Sequence, residues 1–141
     1  MSAEYFIDTN IFIYAFSPAE ADKRRIATGL IREALETRKG AISSQVFQEF
    51  VHAALHKAST SIPPATLRAY AEEVLSPLCL VQSSNRLMIL ALGIQEQSGY
   101  RFYDSLIVAA AVEAGVKTLY SEDLQHGRSI GGVRIVNPFA P

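Results

Sequence analysis

The sequence predicts an α/β fold whose mostly parallel sheet is covered by helices on both faces. Short apolar runs alternate with longer stretches of helical period, and that alternation is the mark of strands joined by crossover helices. The chain has 141 residues, of which 49% are hydrophobic. That size and composition fit one ordered domain, residues 1–141, with a real core. No repeat, low-complexity tract or linker interrupts the alternation.

The elements follow in order. Glu4-Tyr5-Phe6-Ile7-Asp8 reads as the first strand. Ser17-Pro18-Ala19-Glu20 offers a capping box with proline at the first helical position. Ile26, Ala27, Leu30, Ile31 and Ala34 mark the buried stripe of the helix that follows, and Lys39-Gly40 stops it. Ala41-Ile42-Ser43-Ser44 is a short second strand. A helix then runs from Gln45 to Lys57, with Ser44 as its N-cap and Val46, Phe47, Phe50, Val51, Ala54 and Leu55 on its apolar side. Pro63-Pro64 opens another helix carrying Leu67, Tyr70, Ala71 and Val74. Leu78 to Gln82 is the third strand, with Cys79 in it as a buried small hydrophobe. Two helices, Asn85 to Gln97 and Tyr103 to Ala114, come next, and Gly115 breaks the second. Lys117 to Tyr120 and Val133 to Val136 are the fourth and fifth strands. Their crossovers should be right-handed.

Composition narrows the function. A single cysteine, Cys79, cannot form an internal disulfide, which suits a reducing cytoplasm. The opening Met1-Ser2-Ala3-Glu4 passes directly into a strand, with no leader pattern. The most apolar stretch, Leu87 to Ile94, is about half a membrane span. A formal net charge of −1 argues against indiscriminate nucleic-acid binding. A nucleic-acid substrate would need local basic patches or a metal.

Four acids sit where such a fold brings side chains to one sheet edge, beyond the carboxyl ends of the strands. Asp8 ends the first strand, and Asp123 follows the fourth. Glu49 lies about one turn into the helix after the second strand, and Asp104 lies in the first turn of the helix that returns to the fourth. Singly, each is more simply a turn former, a cap or a complement to a helix dipole. Four from separate segments on one rim is a poor coincidence, and a cap does not explain Glu49 in mid-helix. Carboxylates gathered this way repel unless a cation separates them, and oxygen ligands suit Mg²⁺ or Mn²⁺. A metal there would lower the pKa of a bound water and neutralise phosphate charge. The expectation is a small metal-dependent phosphodiesterase with Asp8, Glu49, Asp104 and Asp123 as its catalytic and metal-binding acids. Thr9 and Asn10 would support Asp8 by hydrogen bonding.

The ordered motifs Phe6-Ile7-Asp8-Thr9-Asn10, Ser44-Gln45-Val46-Phe47-Gln48-Glu49-Phe50, Tyr103-Asp104-Ser105-Leu106-Ile107-Val108-Ala109-Ala110-Ala111 and Leu119-Tyr120-Ser121-Glu122-Asp123-Leu124 resemble those of PIN-domain proteins of the VapC toxin type. The resemblance covers nearly the whole chain. It implies a three-layer α/β/α sandwich with a five-stranded sheet in the order 3-2-1-4-5. It also implies Mg²⁺- or Mn²⁺-dependent endoribonuclease activity leaving 5′-phosphate and 3′-hydroxyl ends, inhibition by a cognate VapB-type antitoxin, and a homodimer. The family's first three acids fall on Asp8, Glu49 and Asp104. Its fourth segment commonly reads Thr-x-Asp; here Ser121-Glu122-Asp123 keeps a hydroxyl and the final acid, and Glu122 rivals Asp123 for the metal. One ion or two stays open.

Other residues have plainer readings. His52 and His56 share a helix face with Glu49, but a hard cation prefers oxygen, and polar-face residues is the simpler account. His126 is ambiguous between surface and substrate. Lys23-Arg24-Arg25 reads as a solvated face. Arg101 and Arg128, near Asp104 and Asp123, are better placed to meet phosphates. Two other function classes compete: a PIN-like module that binds without cleaving, and an aspartate phosphoacceptor or phosphatase using Asp8. Receiver domains place their acceptor after the third strand, where this chain has Val81-Gln82-Ser83; dehalogenase-like phosphatases want an acid where Asn10 stands.

Overall fold

The structure is a computed structural model that describes residues 2–57 and 62–141; Met1 lies outside the described residues. Its six strands are β1 (Tyr5–Ile7), β2 (Gly40–Ser43), β3 (Cys79–Val81), β4 (Thr118–Tyr120), β5 (Ser129–Ile130) and β6 (Val133–Val136). They lie in the order β3-β2-β1-β4-β6-β5. All neighbours from β3 to β6 pair in parallel, so the five expected strands take the expected order. The addition is β5, which pairs antiparallel with β6, Ser129 opposite Arg134 and Ile130 opposite Val133. Two residues show no alternation, so the run carried no strand signal of its own. The hairpin turn that returns it, Gly131-Gly132, has both φ angles positive, the requirement of a type I′ loop that glycine meets without strain.

The helices are α1 (Thr9–Tyr14), α2 (Ala21–Thr37), α3 (Ser44–His56), α4 (Pro64–Tyr70), α5 (Ser76–Leu78), α6 (Asn85–Ser98) and α7 (Phe102–Glu113). A π-helical turn, Ala71–Leu75, joins α4 to α5. The first crossover departs from the sequence reading. The chain turns helical at Thr9, directly after β1, because Asp8 caps α1. Ser17 and Pro18 do not open a helix; α2 begins at Ala21, and Glu20 before it makes no side-chain cap bond. The weak helix formers Thr9 and Asn10 disguised α1, and burial of Ile11 and Phe12 overrides their propensity.

Three further boundaries move by a residue or two. Arg38, in the left-handed region at φ 59°, ends α2 in place of Lys39-Gly40. Gly40 instead opens β2, where a Cβ would collide with that of Ala34 on α2. Ser43 caps α3, its Oγ accepting from the Val46 amide at 3.4 Å, and Ser44 is already helical. Cys79 lies on the edge strand and is half-buried, not enclosed.

Phe6, Ile7, Ile42, Leu119 and Ile135 of the central strands are completely buried. One helical group packs through aromatic contacts: Phe12 and Phe16 against Phe50, and Phe16 and Phe50 against Tyr70. On α7, Ala109-Ala110-Ala111 is buried, and the small side chains allow that helix to pack closely on its neighbours α6 and β2. Because β1, β2 and β4 run in the same sense, the residues that follow them emerge at one edge of the sheet. Among the described residues, no helix is long and apolar enough to cross a membrane.

Candidate active site

Hydrogen bonds hold Asp8 through its amide and both of its carboxylate oxygens. Its amide donates to the Tyr120 carbonyl at 2.9 Å, tying the end of β1 to β4. Its Oδ1 accepts from the Thr9 amide at 2.7 Å, and its Oδ2 accepts from Ser121 Oγ at 2.8 Å. Ser121 is fully buried and also accepts from the Leu124 amide at 3.4 Å. Asp8 itself is only 7% exposed. Burial pushes its carboxyl up from 3.8 to about 6, although the Ser121 and Thr9 hydrogen bonds favour the charged form; the negative charges of Glu49 and Asp123 push the same way as burial.

Glu49 projects from α3 with its side chain exposed. Thr9 Oγ1 donates to its Oε1 at 2.6 Å, and Gln45 Nε2 approaches its Oε2 at 3.3 Å. The same Gln45 nitrogen donates to the Tyr103 carbonyl at 3.1 Å, in the first turn of α7 beside Asp104. Gln45 is thus a bridge between the helices that carry Glu49 and Asp104. Asp104 is partly buried. Burial raises its pKa first, Asp123 and Glu49 raise it further, and Arg101 opposes them. Asp123 is exposed on the loop after β4. Asp8 and Asp104 therefore each lie in the fields of both Glu49 and Asp123. Thr9, Asn10, Glu49, His52, Lys57 and Asp123 line part of an open depression of about 420 Å³ over this edge.

Among the described residues, no three His, Cys, Asp or Glu side chains converge closely enough to cage a bare ion. The donor set nonetheless fits a hydrated hard cation. Mg²⁺ dehydrates reluctantly and is commonly held by one or two carboxylates through several retained waters. Both polar atoms of the Asn10 side chain and Oε1 of Gln45 are buried without a hydrogen-bond partner in the structure. A buried polar atom left unmet costs about 1–3 kcal/mol, and ordered water or a hydrated ion in this region is what would meet it.

A family model described as the PIN domain matches residues 5–128. This chain belongs to the PIN-domain family. Members are generally nucleases. Solved PIN-like structures share the fold at low identity. A toxin–antitoxin complex from Klebsiella pneumoniae aligns at 22% identity with a TM-score of 0.66, covering 98% of each chain. VapBC2 from Rickettsia felis, bound to a DNA fragment from its promoter, aligns at 20% and 0.61, covering 93% of this chain and 96% of that one. PAE2754 from Pyrobaculum aerophilum aligns at 22% and 0.57, covering 87% and 83%. No match is found among curated protein sequences.

Within this PIN domain the rival acid Glu122 points into a different cluster. It accepts from Lys23 Nζ at 2.6 Å and from Tyr14 Oη at 2.5 Å. Burial alone would raise its pKa, but those hydrogen bonds outweigh burial and hold it below the usual carboxylate range. Lys23 is correspondingly no solvated bystander: it is ion-paired with Glu122 and sits over the Tyr14 ring at 4.7 Å. Arg128 uses its guanidinium internally, donating to Gln125 Oε1 at 2.7 Å and to the Ser98 carbonyl at 2.9 Å over the Tyr100 ring. Arg101 is exposed beside Asp104. His126 Nδ1 accepts from the Asn137 amide at 2.9 Å. The sequence reading missed Gln45 as a site residue. Its signal was its spacing, four residues before Glu49 and so on the same helix face.

Proposed function

We propose that this PIN domain is the toxin ribonuclease of a type II toxin–antitoxin pair, hydrolysing RNA phosphodiester bonds in the cytoplasm with Mg²⁺ or Mn²⁺. Asp8 carries the reading. A carboxyl this buried, in the field of Glu49 and Asp123, loses stability on ionising, and a bound cation is the natural compensation. Asp8 and Asp104 would hold the ion, with Glu49 and Asp123 acting directly or through water. The ion, when bound, lowers the pKa of a water and neutralises charge on the phosphate oxygens.

The protein's own groups supply the positioning. Ser121 and the Thr9 amide orient Asp8, while Thr9 Oγ1 and Gln45 orient Glu49. Asn10 offers a donor and an acceptor to water or phosphate. Arg101, exposed beside Asp104, is placed to meet a phosphate; Arg128 acts through the loop it braces. The likeness to toxin–antitoxin complexes supports a VapB-type antitoxin as partner, and the family resemblance adds a homodimer. Against Asp8 as a phosphoacceptor stands its place in the chain: it follows β1, not β3, and Asn10 stands where a dehalogenase-like phosphatase has its second acid. The second reading, a PIN domain that binds without cutting, is favoured by the lack of a converged ligand trio among the described residues.

One experiment separates the two. Antitoxin-free protein is incubated with cellular RNA with and without Mg²⁺, and new 5′ ends are sequenced. Cleavage requires Mg²⁺ and falls at least about a hundredfold in Asp104→Asn. Undiminished cleavage by a well-folded Asp104→Asn protein rejects the assignment, and wild-type protein that binds but never cuts establishes the second reading.

A further inference from the structure

His52 and His56 stand four residues apart on α3, so both imidazoles leave the same helix face. Both residues are exposed. Their ring centroids lie 4.5 Å apart with the planes inclined at 45°. That separation has a chemical meaning. A metal–imidazole bond is about 2.0–2.1 Å and the ring centre lies about 1.1 Å behind the nitrogen, so a shared ion would stand about 3.2 Å from each centroid. Two ligands at about 90° around such an ion have centroids about 4.5 Å apart. The ring centres already have that spacing, with both residues exposed on one helix face.

We propose that His52 and His56 form a two-nitrogen site for a transition-metal dication of the Cu²⁺ or Ni²⁺ class, separate from the carboxylate ligands of the hard-cation site. Imidazole nitrogen suits these ions and not Mg²⁺, and water completes their coordination. Two histidines at this helical spacing are known to reach one metal ion from a single helix face. His52 also lines the depression shared with Glu49 and Asp123, so an ion here adds positive charge at the acidic rim.

The test uses untagged full-length protein in excess Mg²⁺, which occupies the carboxylates. Ni²⁺ alone is titrated calorimetrically into the wild type, His52→Ala and His56→Ala, with far-UV circular dichroism confirming the fold of each. One Ni²⁺ binds per wild-type chain, and each variant weakens it at least tenfold. Cu²⁺ binds more tightly than Ni²⁺, and its electron paramagnetic resonance spectrum shows two equatorial nitrogens in the wild type only. Unchanged Ni²⁺ affinity in either folded variant, or displacement of Ni²⁺ by Mg²⁺, overturns the proposal. The readout is binding, so the result does not depend on whether RNA is cut.

Discussion

Replacing Asp8 by Asn should make the metal-free protein more stable, although it removes the most firmly held acid of the site. The carboxyl titrates near 6 in the fold against 3.8 when free. At about 1.4 kcal/mol per pH unit, that difference is about 3 kcal/mol of folding free energy lost on ionisation. The sign follows from proton binding. Between about pH 4 and pH 6 the folded protein holds this proton and the unfolded chain has released it, so stability falls as pH rises through that window and then levels off. Asparagine keeps an oxygen to accept from the Thr9 amide but leaves the Ser121 hydroxyl proton without its acceptor, a loss of about 1 kcal/mol. The net expectation is a gain of about 2 kcal/mol near pH 7.5 that reverses to a loss of about 1 kcal/mol below about pH 4, where the wild-type carboxyl is protonated in both states. Urea unfolding in EDTA at several pH values measures it, and added Mg²⁺ should raise the wild type more than the variant. An Asp8→Asn protein less stable than wild type near neutral pH, or a difference that does not change with pH, would refute the reasoning.

Other substitutions test other parts of the site and fold. Gln45→Ala removes the bridge between Glu49 and the Tyr103 carbonyl; RNA cleavage should fall about ten- to a hundredfold, with the Mg²⁺ requirement retained. Glu122→Gln should leave Mg²⁺-dependent cleavage near wild type while Asp123→Asn reduces it at least tenfold, and equal losses would show that Glu122 shares the metal. Gly40→Ala forces a methyl into Ala34 and should cost about 1–3 kcal/mol in urea unfolding, with the slope of the transition unchanged.

What could be read from the chain was set by period and by chain direction. The parallel strands were legible because each is an apolar run separated from the next by a helical stretch. The sheet edge reached by Asp8 and Asp123 then followed from strand polarity alone. What escaped was decided by contacts too local or too distant for any period to show. The helix α1 is six residues long and starts on Thr-Asn, so it has no stripe to detect; only its cap, Asp8, announces it, and the same residue reads equally as a strand end. The strand β5 is two residues long, and its one legible trace was the Gly131-Gly132 turn. Lys23 and Glu122 are 99 positions apart, so their pairing, which turns Glu122 away from the other acids, could not be read from either neighbourhood.

The same distinction explains how the four acids differ. Asp8 ends a central strand, where the backbone itself is enclosed, and so it is buried whatever its side chain does. Glu49 and Asp123 reach the rim from a helix face and a loop, and both remain exposed to solvent. A charge in water is screened and can shift at little cost; one in the interior cannot. Asp8 is therefore the acid whose ionisation most needs a cation, and the exposed acids are the ones free to adjust around the cation's waters. On this view a hydrated ion should be enough to engage the site, without the three-ligand cage that the described residues lack. The buried Asn10 amide, beside Thr9 and with neither polar atom satisfied, is then the group whose hydrogen bonds should be completed by that hydration shell.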